Sequence, residues 1–376
     1  MSRSLYADLA GGDTRVHEHL SDEAFLRGIL RFEAALAEAA GSLGVVSAES
    51  ARHAVEVIAG FELDCAEVST AAAAGANPAI PLAKELKAAA GAESAGIHTG
   101  ATSQDAIDSS LMLALSAASS RLCEDLLHPT LELLRALAEE HRETPMMGRT
   151  LGQQATPTTF GLCAALWWQQ LHAAEAEIAA LRFPVQYAGA TGTLAAVYPH
   201  GIELHAELAR RLGLASSPLV WHTDRSAILR IGAAYAQVAG AVAKIATDII
   251  RLCATEVAEL SEPSPGGSSA MPHKANPAAS VAARGYALRA PGLLSTLALT
   301  LGGAHQRAEG EWHAEWQTLR ELAACTASAL ARCHAALDGL VVHAEQMATN
   351  RRTSPAGEQS TGHAADIVTV ILGENS

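Results

Sequence analysis

The chain has 376 residues, of which 49% are apolar and 4% aromatic, and its formal net charge is −14. The apolar content is enough for a sizeable core and excludes a globally disordered chain. The scarcity of aromatic residues and the abundance of Ala favour packed helices over sheets. So acidic a chain is a poor candidate for binding DNA or RNA, because that binding depends on neutralising phosphates. The length allows one large domain or two to three modest ones.

The cysteines and the apolar stretches indicate a soluble protein of a reducing compartment. The six cysteines include no C-x-x-C pair, so they predict free thiols rather than a disulfide framework or a zinc site. The N-terminus has no apolar signal region, and the longest apolar stretch, 290–304, is interrupted by Pro and Gly. We therefore expect a cytoplasmic protein with no nucleic-acid or membrane partner.

Helical periodicity predominates from the N-terminus onward. A helix is predicted to begin at Ser21 and to end at Gly41 to Gly44, and a second covers 48–59. The segment 64–90 is predicted to be helical, with a break at 75–78. A short apolar helix is predicted near the end, at 364–372.

Three segments are predicted to be unusually long helices. They are 103–142 with a kink or irregularity at Pro129, 158–181, and 225–262 without a proline. At about 1.5 Å per residue the third would be roughly 55 Å long. Such a helix is stable only if its apolar stripe is buried along its whole length. We predict an elongated helical bundle that buries part of its surface against other subunits.

A first polar cluster, 98–105 (HTGATSQD), precedes the first long helix. Thr102 and Asp105 fit a capping box, which is a purely structural role. A helix N-terminus also offers free N–H groups and partial positive charge to a carboxylate. His98 could then act as a proton donor or an electrostatic partner.

A second polar cluster, 148–159, is predicted to enter the next helix with Pro157 near its first turn. Its Arg149 can make two parallel hydrogen bonds to a carboxylate. The alternative is an ordinary surface arginine beside a helix cap.

The third cluster, 264–277, combines a flexible Gly pair with three prolines, which is typical of a loop that moves as a lid. It lacks the order of residues of a phosphate-binding P-loop. Its Lys274 is one of only four lysines in the chain, and Asn276 and two serines accompany it. A plain linker needs none of these, so we predict a functional loop. Two further clusters, 221–225 and 305–313, are interpreted as polar helix ends.

The run 267–277 (GSSAMPHKANP) resembles the signature of the fumarase/aspartase superfamily, which includes adenylosuccinate lyase, argininosuccinate lyase, δ-crystallin and 3-carboxy-cis,cis-muconate cycloisomerase. The other two loops match its remaining conserved regions, in the same order. The resemblance covers roughly residues 1 to 345 and is greatest to the bacterial cycloisomerase branch, to which the runs 98–105, 149–161, 221–223 and 309–316 are similar. Leu151 stands where the lyases usually have His, and Ala275 where adenylosuccinate lyase usually has Arg.

The resemblance implies an all-α fold and a homotetramer in which each active site gathers loops from three chains. We predict an N-terminal helical domain at 1–100, a central long-helix bundle at 101–345 and a C-terminal helical segment at 346–376. The superfamily's C-terminal domain is expected to be cut down after about Asn350, which bears on how the lid closes.

The reaction that the resemblance implies needs no cofactor or metal. In the cycloisomerase, a carboxylate of 3-carboxy-cis,cis-muconate adds across a conjugated double bond to form a lactone, and the neighbouring carbon is protonated. The resemblance assigns proton transfer to Ser268, with His98 and Lys274 as the other catalytic candidates. The predicted substrate-binding residues are Thr102, Ser103, Arg149, Gln153, His222, Arg225, Ser269, Met271 and Asn276.

Three other functions remain as alternatives. The first is an adenylosuccinate-type lyase that releases fumarate, against which Leu151 and Ala275 argue. The second is a non-catalytic structural relative like δ-crystallin, against which the intact set of Ser268, Lys274 and Asn276 argues. The third is a metal-binding protein, suggested by 16 histidines but not by any ligand spacing.

Overall fold

A computed structural model describes residues 14–373. Residues 14–90 form five helices: α1 (Thr14–His19), α2 (Asp22–Ser42), α3 (Ala48–Ala59), α4 (Cys65–Ala72) and α5 (Ala79–Ala90). The side chain of Ser21 accepts a hydrogen bond from the backbone N of Ala24 at 3.1 Å and so caps α2, as predicted. The predicted break within 64–90 is confirmed, because α4 ends at Ala72 and α5 begins at Ala79.

The first long helical segment is irregular where the sequence predicts it to be. Helix α6 (Ser103–Leu122) passes through a π-helical turn (Cys123–Leu127) into α7 (His128–Glu140). Pro129 follows that turn directly and has no N–H to donate to the preceding turn of helix. The widened turn thus accommodates the proline without ending the rod.

The second polar cluster forms a hairpin, so the prediction that it starts a helix at Pro157 was wrong. Strands β1 (Pro145–Thr150) and β2 (Gln153–Thr159) pair antiparallel, and α8 (Phe160–Ala179) begins only after Thr159. The connecting residues Leu151 and Gly152 have φ of 52° and 81°. Positive φ at both positions matches the twist of a two-residue hairpin. The β-branched threonines of this stretch favour strand over helix.

The rest of the chain alternates helices with short connections. The elements are α9 (Gly201–Leu212), α10 (Ser226–Leu252), β3 (Leu260–Ser261), α11 (Ala278–Ala287), α12 (Ala290–Leu299), α13 (Glu311–Leu337), β4 (Val341–Val342), α14 (Ala344–Arg352) and α15 (Ala364–Ile371). The third long helix ends at Leu252, ten residues before the predicted end, because Ala258 adopts a φ of 51° and β3 pairs with β4. At 1.5 Å per residue, α10 is about 40 Å long. Helix α13 is equally long and was not predicted as a long rod.

Helix α10 is the axis of the fold. Its apolar stripe from Ile228 to Ile249 is buried against α8, α11, α12 and α13. Among the described residues it is the one helix long and apolar enough to cross a membrane, and half of that stretch is buried inside the chain. Its apolar character therefore follows from its place in the core.

The helices around α10 give the molecule two distant ends. Helix α6 runs parallel to α10, because Asp108 bonds Arg225 at 2.8 Å and Ser119 bonds Tyr235 at 2.9 Å. Helix α8 runs the opposite way: Trp167 near its start bonds Asp248 at 2.8 Å, and Val185 beyond its end bonds Trp221 at 2.9 Å. The start of α6 therefore lies at the N-terminal end of α10, and the β1–β2 hairpin lies at its C-terminal end.

Candidate active site

A buried carboxylate organises the loops at the N-terminal end of α10. Asp105 is fully buried, and its oxygens accept bonds from the backbone N of Thr102 (3.0 Å), Ala188 (3.2 Å) and Gly189 (3.0 Å). The predicted capping box at α6 is present. A fourth bond, of 2.8 Å, joins Asp105 to Nε2 of His222. Asp105 therefore fixes the segments that contain Thr102, Ala188 and His222 around the start of α6.

His98 is held by a second buried carboxylate, that of Glu33 in α2. The two residues share a 2.6 Å bond between Nδ1 and Oε1, and the backbone N of His98 donates to Oε2 at 2.8 Å. The backbone φ of His98 is 57°, a strained conformation that these contacts maintain. Burial opposes the charged ring, but the charge and hydrogen bond of Glu33 outweigh it, so the pKa of His98 is raised. The Glu33 carboxylate therefore favours the protonated form of the His98 ring.

This pair predicts a pH dependence of stability. A group whose pKa rises on folding stabilises the folded state, and this contribution is complete below its pKa in the unfolded chain, which is 6.5 for His98. The contribution is lost as the pH rises through the pKa of the folded state. The free energy of unfolding of the wild type should therefore decrease from pH 6.5 upward by more than that of a Glu33→Gln variant. Urea unfolding of both proteins at several pH values measures the difference. Parallel pH profiles would contradict this account of His98.

Arg225, predicted to bind substrate, is instead part of the core. Its side chain is 2% exposed and lies between Asp108 of α6 and Glu315 of α13, with bonds of 2.5–3.2 Å. The carbonyl of Trp221 takes the remaining N–H at 3.2 Å. All five guanidinium donors are thus used, and none is left for a substrate. We therefore reinterpret Arg225 as a residue of the framework.

Three residues that the sequence did not single out for function belong to this end of the molecule. Glu33 and Asp105 hold the two histidines, and Arg307 donates to Oε1 of Gln104 at 3.3 Å and to the carbonyl of Ala190 at 2.7 Å. Arg307 brings a positive charge next to the start of α6, although its cluster was interpreted as a polar helix end. Positive φ at His305 in the same segment is the structural sign of a constrained loop.

The hairpin at the other end of α10 carries the next candidates. Arg149 on β1 makes two parallel bonds, of 2.9 and 2.8 Å, to the fully buried Glu259. Gln153 is exposed at the start of β2. Leu151 at the tip is entirely exposed (102%) in a left-handed conformation that a bulky residue rarely adopts.

The third cluster is an outward loop anchored at its base. Glu262 accepts bonds from the backbone N of Ala279 (3.0 Å) and of Ser280 (2.8 Å) at the start of α11. Within the loop, the hydroxyl of Ser268 accepts from the backbone N of Met271 at 3.2 Å, and Asn276 donates to the carbonyl of Gly267 at 3.1 Å. The side chains of Ser269, Met271 and Lys274 are exposed.

One chain does not bring all the candidates together. His98, Thr102, Ser103, His222 and Arg225 lie at the N-terminal end of α10, and Arg149, Gln153, Ser268, Ser269, Met271, Lys274 and Asn276 lie at its C-terminal end. The length of α10 separates the two groups by about 40 Å. Within residues 14–373 no group of three or more His, Cys, Asp or Glu side chains could hold a metal ion.

Comparison with known proteins identifies the family. The family model described as Lyase matches residues 12–292. The chain belongs to this lyase family, which is the fumarase/aspartase superfamily. The lyase-family chain is 42% identical over 341 residues to 3-carboxy-cis,cis-muconate cycloisomerase of Pseudomonas aeruginosa, an alignment that covers 88% of the chain and 74% of that protein.

Two further relatives are similar over almost the whole lyase-family chain. Nitrosuccinate lyase of Streptomyces davaonensis is 37% identical over 378 residues, which covers 96% of this chain and 79% of that protein. The crystal structure of 3-carboxy-cis,cis-muconate lactonizing enzyme from Pseudomonas putida superposes with a TM-score of 0.86 at 33% identity, covering 98% of this chain and 82% of that one. The predicted helical fold is confirmed.

Proposed function

We propose that the protein is a cytoplasmic cycloisomerase that converts 3-carboxy-cis,cis-muconate to a carboxymuconolactone, as in the degradation of protocatechuate. The observation that carries the proposal is the intact loop 267–277, with Ser268, Lys274 and Asn276, in a chain 42% identical to an enzyme of that name. The test is the loss of diene absorbance when purified protein meets 3-carboxy-cis,cis-muconate. Adenylosuccinate and argininosuccinate serve as controls, and turnover of either in place of the muconate would reject the proposal. No turnover of any of the three would also reject the proposal, and would leave the crystallin-like alternative or a lyase that acts on a different substrate.

We propose that the active site is completed by other copies of the chain in a homotetramer. The separation of about 40 Å between the two groups of candidates supports this, because no loop motion closes such a gap. Exposed apolar side chains on α11 and near the ends of α12 support it too: Val281 (54%), Leu288 (55%) and Leu299 (78%) would be buried between subunits.

Subunit complementation tests the shared site. Ser268→Ala and His98→Gln variants should each be inactive alone. The two variants are mixed, partially denatured and refolded to form mixed tetramers. Because each substitution removes a group at a different end of α10, some sites in these tetramers should have both groups intact, and activity should return. Light scattering after gel filtration measures the assembly. A monomer, or mixtures that stay inactive although they exchange subunits, would contradict the shared site.

In the proposed chemistry, an oxygen of one carboxylate bonds to one carbon of the conjugated double bond, and the electrons of that double bond move onto a second carboxylate, where the site must place donors. Lys274 and Asn276 are proposed to hold this second carboxylate, and the Ser268 hydroxyl is proposed to transfer a proton to the other carbon of the former double bond. Thr102, Ser103 and Gln153 are proposed to position the other carboxylates, assisted by His98 as an auxiliary acid or electrostatic partner. His222, Ser269 and Met271 line the same site in this proposal.

Lys274→Met tests the cationic part of the site. A charge-assisted hydrogen bond to a carboxylate contributes about 1.5–3 kcal/mol, so kcat/KM should decrease about 10- to 100-fold. Steady-state kinetics with 3-carboxy-cis,cis-muconate measure the decrease. Lys84→Met, which replaces another exposed lysine in α5, is the control and should not change the kinetics. Unchanged kinetics of Lys274→Met would remove this lysine from the site.

A second candidate function is elimination of nitrite from 2-nitrosuccinate, which the 37% identity to the nitrosuccinate lyase of Streptomyces davaonensis favours. In that elimination a proton leaves C3, the C2–N bond breaks and fumarate and nitrite form. Nitrite is a weak base that leaves without being protonated, so an apolar Leu151 in place of an acid is compatible with it. Nitrite release in a colorimetric assay, with fumarate absorbance, distinguishes this activity from lactone formation.

A further inference from the structure

Arg149 of β1, Glu259 and Asn350 are joined by hydrogen bonds. The proposed reaction gives no role to Glu259 or Asn350. Glu259 is fully buried and accepts from both terminal nitrogens of Arg149. Asn350 of α14 donates to Glu259 at 2.8 Å and also to the carbonyl of Val257 at 2.8 Å. The carboxylate is thereby held in one orientation, and it holds the guanidinium plane in turn.

The hydrogen bonds of Arg149 leave one edge of its guanidinium group available. The group has five N–H donors in a plane. Glu259 takes one from each of Nη1 and Nη2, and the carbonyl of Met147 takes the second from Nη1 at 3.2 Å. The N–H of Nε and the second N–H of Nη2 make no bond within residues 14–373, and they point in parallel from the same edge. The side chain of Arg149 is 24% exposed, whereas that of Glu259 is 0% exposed.

We propose that Arg149 binds a substrate carboxylate through its Nε–Nη2 edge, and that Glu259 and Asn350 are positioning residues that orient this edge. The inference rests on the proposed function, and it adds to the predicted substrate contact of Arg149 the edge that makes the contact and the two residues that orient it. Two parallel N–H groups match the two oxygens of a carboxylate. Because Glu259 neutralises most of the charge of Arg149, this edge mainly orients the substrate carboxylate. The long-range attraction of the substrate comes from Lys274.

Arg149→Lys is the decisive variant, because Lys keeps the charge beside Glu259 but offers no second bidentate edge. We expect KM for 3-carboxy-cis,cis-muconate and Kd for tricarballylate, a tricarboxylate probe measured by calorimetry, to increase about tenfold, with a smaller change in kcat. Arg211→Lys is the matched control: Arg211 is also 24% exposed and pairs with Glu38 at 2.6 Å, and its replacement should change neither constant.

Further variants separate positioning from simple stability. Glu259→Gln should also raise KM. The double variant Glu259→Gln, Arg149→Lys should have a KM no more than about twofold above that of Arg149→Lys alone, since both substitutions act through one subsite. Asn350→Ala changes no charge and should increase KM by a smaller factor. It tests the positioning role if Glu259→Gln does not fold.

The outcomes also separate this inference from the proposed function. If Arg149→Lys and Asn350→Ala lower the melting temperature but leave KM and Kd unchanged, the three residues only stabilise the fold and the inference is overturned. If the wild type does not convert the muconate but binds tricarballylate in a manner that depends on Arg149, the inference stands and the proposed function fails.

Discussion

Ser268→Ala is expected to lower kcat about a thousandfold, because loss of a proton-transfer group typically costs 100- to 10,000-fold in rate. A serine hydroxyl transfers a proton only if its deprotonated oxygen is stabilised. The hydroxyl oxygen of Ser268 accepts from the backbone N of Met271 at 3.2 Å and of Ala270 at 3.4 Å. Donors aimed at an oxygen favour its charged form, and Lys274 lies in the same loop. Kinetics of diene loss measure the effect.

The control for Ser268→Ala comes from the same loop. Ser264 is exposed at the beginning of the segment and has no proposed role, so Ser264→Ala should retain wild-type activity. Gel filtration and circular dichroism should show the same assembly and helicity for wild type and both variants, because Ser268 lies in a loop, is partly exposed and accepts hydrogen bonds from backbone groups of that loop. A Ser268→Ala enzyme with a near wild-type rate would exclude this residue from proton transfer.

Arg225→Met is expected to cost about 3–5 kcal/mol of folding free energy, the usual effect of removing one partner from a buried ion pair. The variant leaves Asp108 and Glu315, both fully buried, without their shared cation. Burial already raises the pKa of Glu315 in the wild type, and its bonds to Arg225 only partly offset this. Without Arg225, the buried carboxylate of Glu315 can lose its uncompensated charge by taking up a proton. The loss of stability relative to the wild type should therefore become smaller as the pH is lowered. Urea unfolding at pH 5 and pH 8 tests both statements.

Two comparisons isolate the cause of this destabilisation. Arg211→Met removes an arginine from a solvent-accessible ion pair with Glu38 and should cost about 1 kcal/mol or less. The triple variant Arg225→Met, Asp108→Asn, Glu315→Gln removes the buried charges together and should recover much of the loss. A triple variant as unstable as Arg225→Met alone would show that packing, rather than uncompensated charge, causes the effect.

The helices whose ends are set by neighbouring residues were predictable from the sequence. Ser21 caps α2 and Thr102 with Asp105 begins α6, because these bonds form within one turn of the chain. The loop with Ser268 and Lys274 was recognisable from its composition and its resemblance to a superfamily signature. The hairpin was missed because Pro157 suggested a helix start, whereas the Leu151–Gly152 turn fixed the two strands.

The roles of the charged side chains depended on tertiary structure. Glu33 looks like one residue of an amphipathic helix, yet it bonds His98, which is 65 residues away in the chain. Arg225 resembled a substrate ligand until α6 and α13 brought Asp108 and Glu315 to it. The sequence alone predicted the helical class from its periodicity and the family from the resemblance of the run 267–277 to a superfamily signature, and both predictions are confirmed. The packing of helices around α10 decided which cations are neutralised and which candidate residues lie at the same end of the molecule. The reason is that the partner of a charged side chain depends on which residues the fold places beside it.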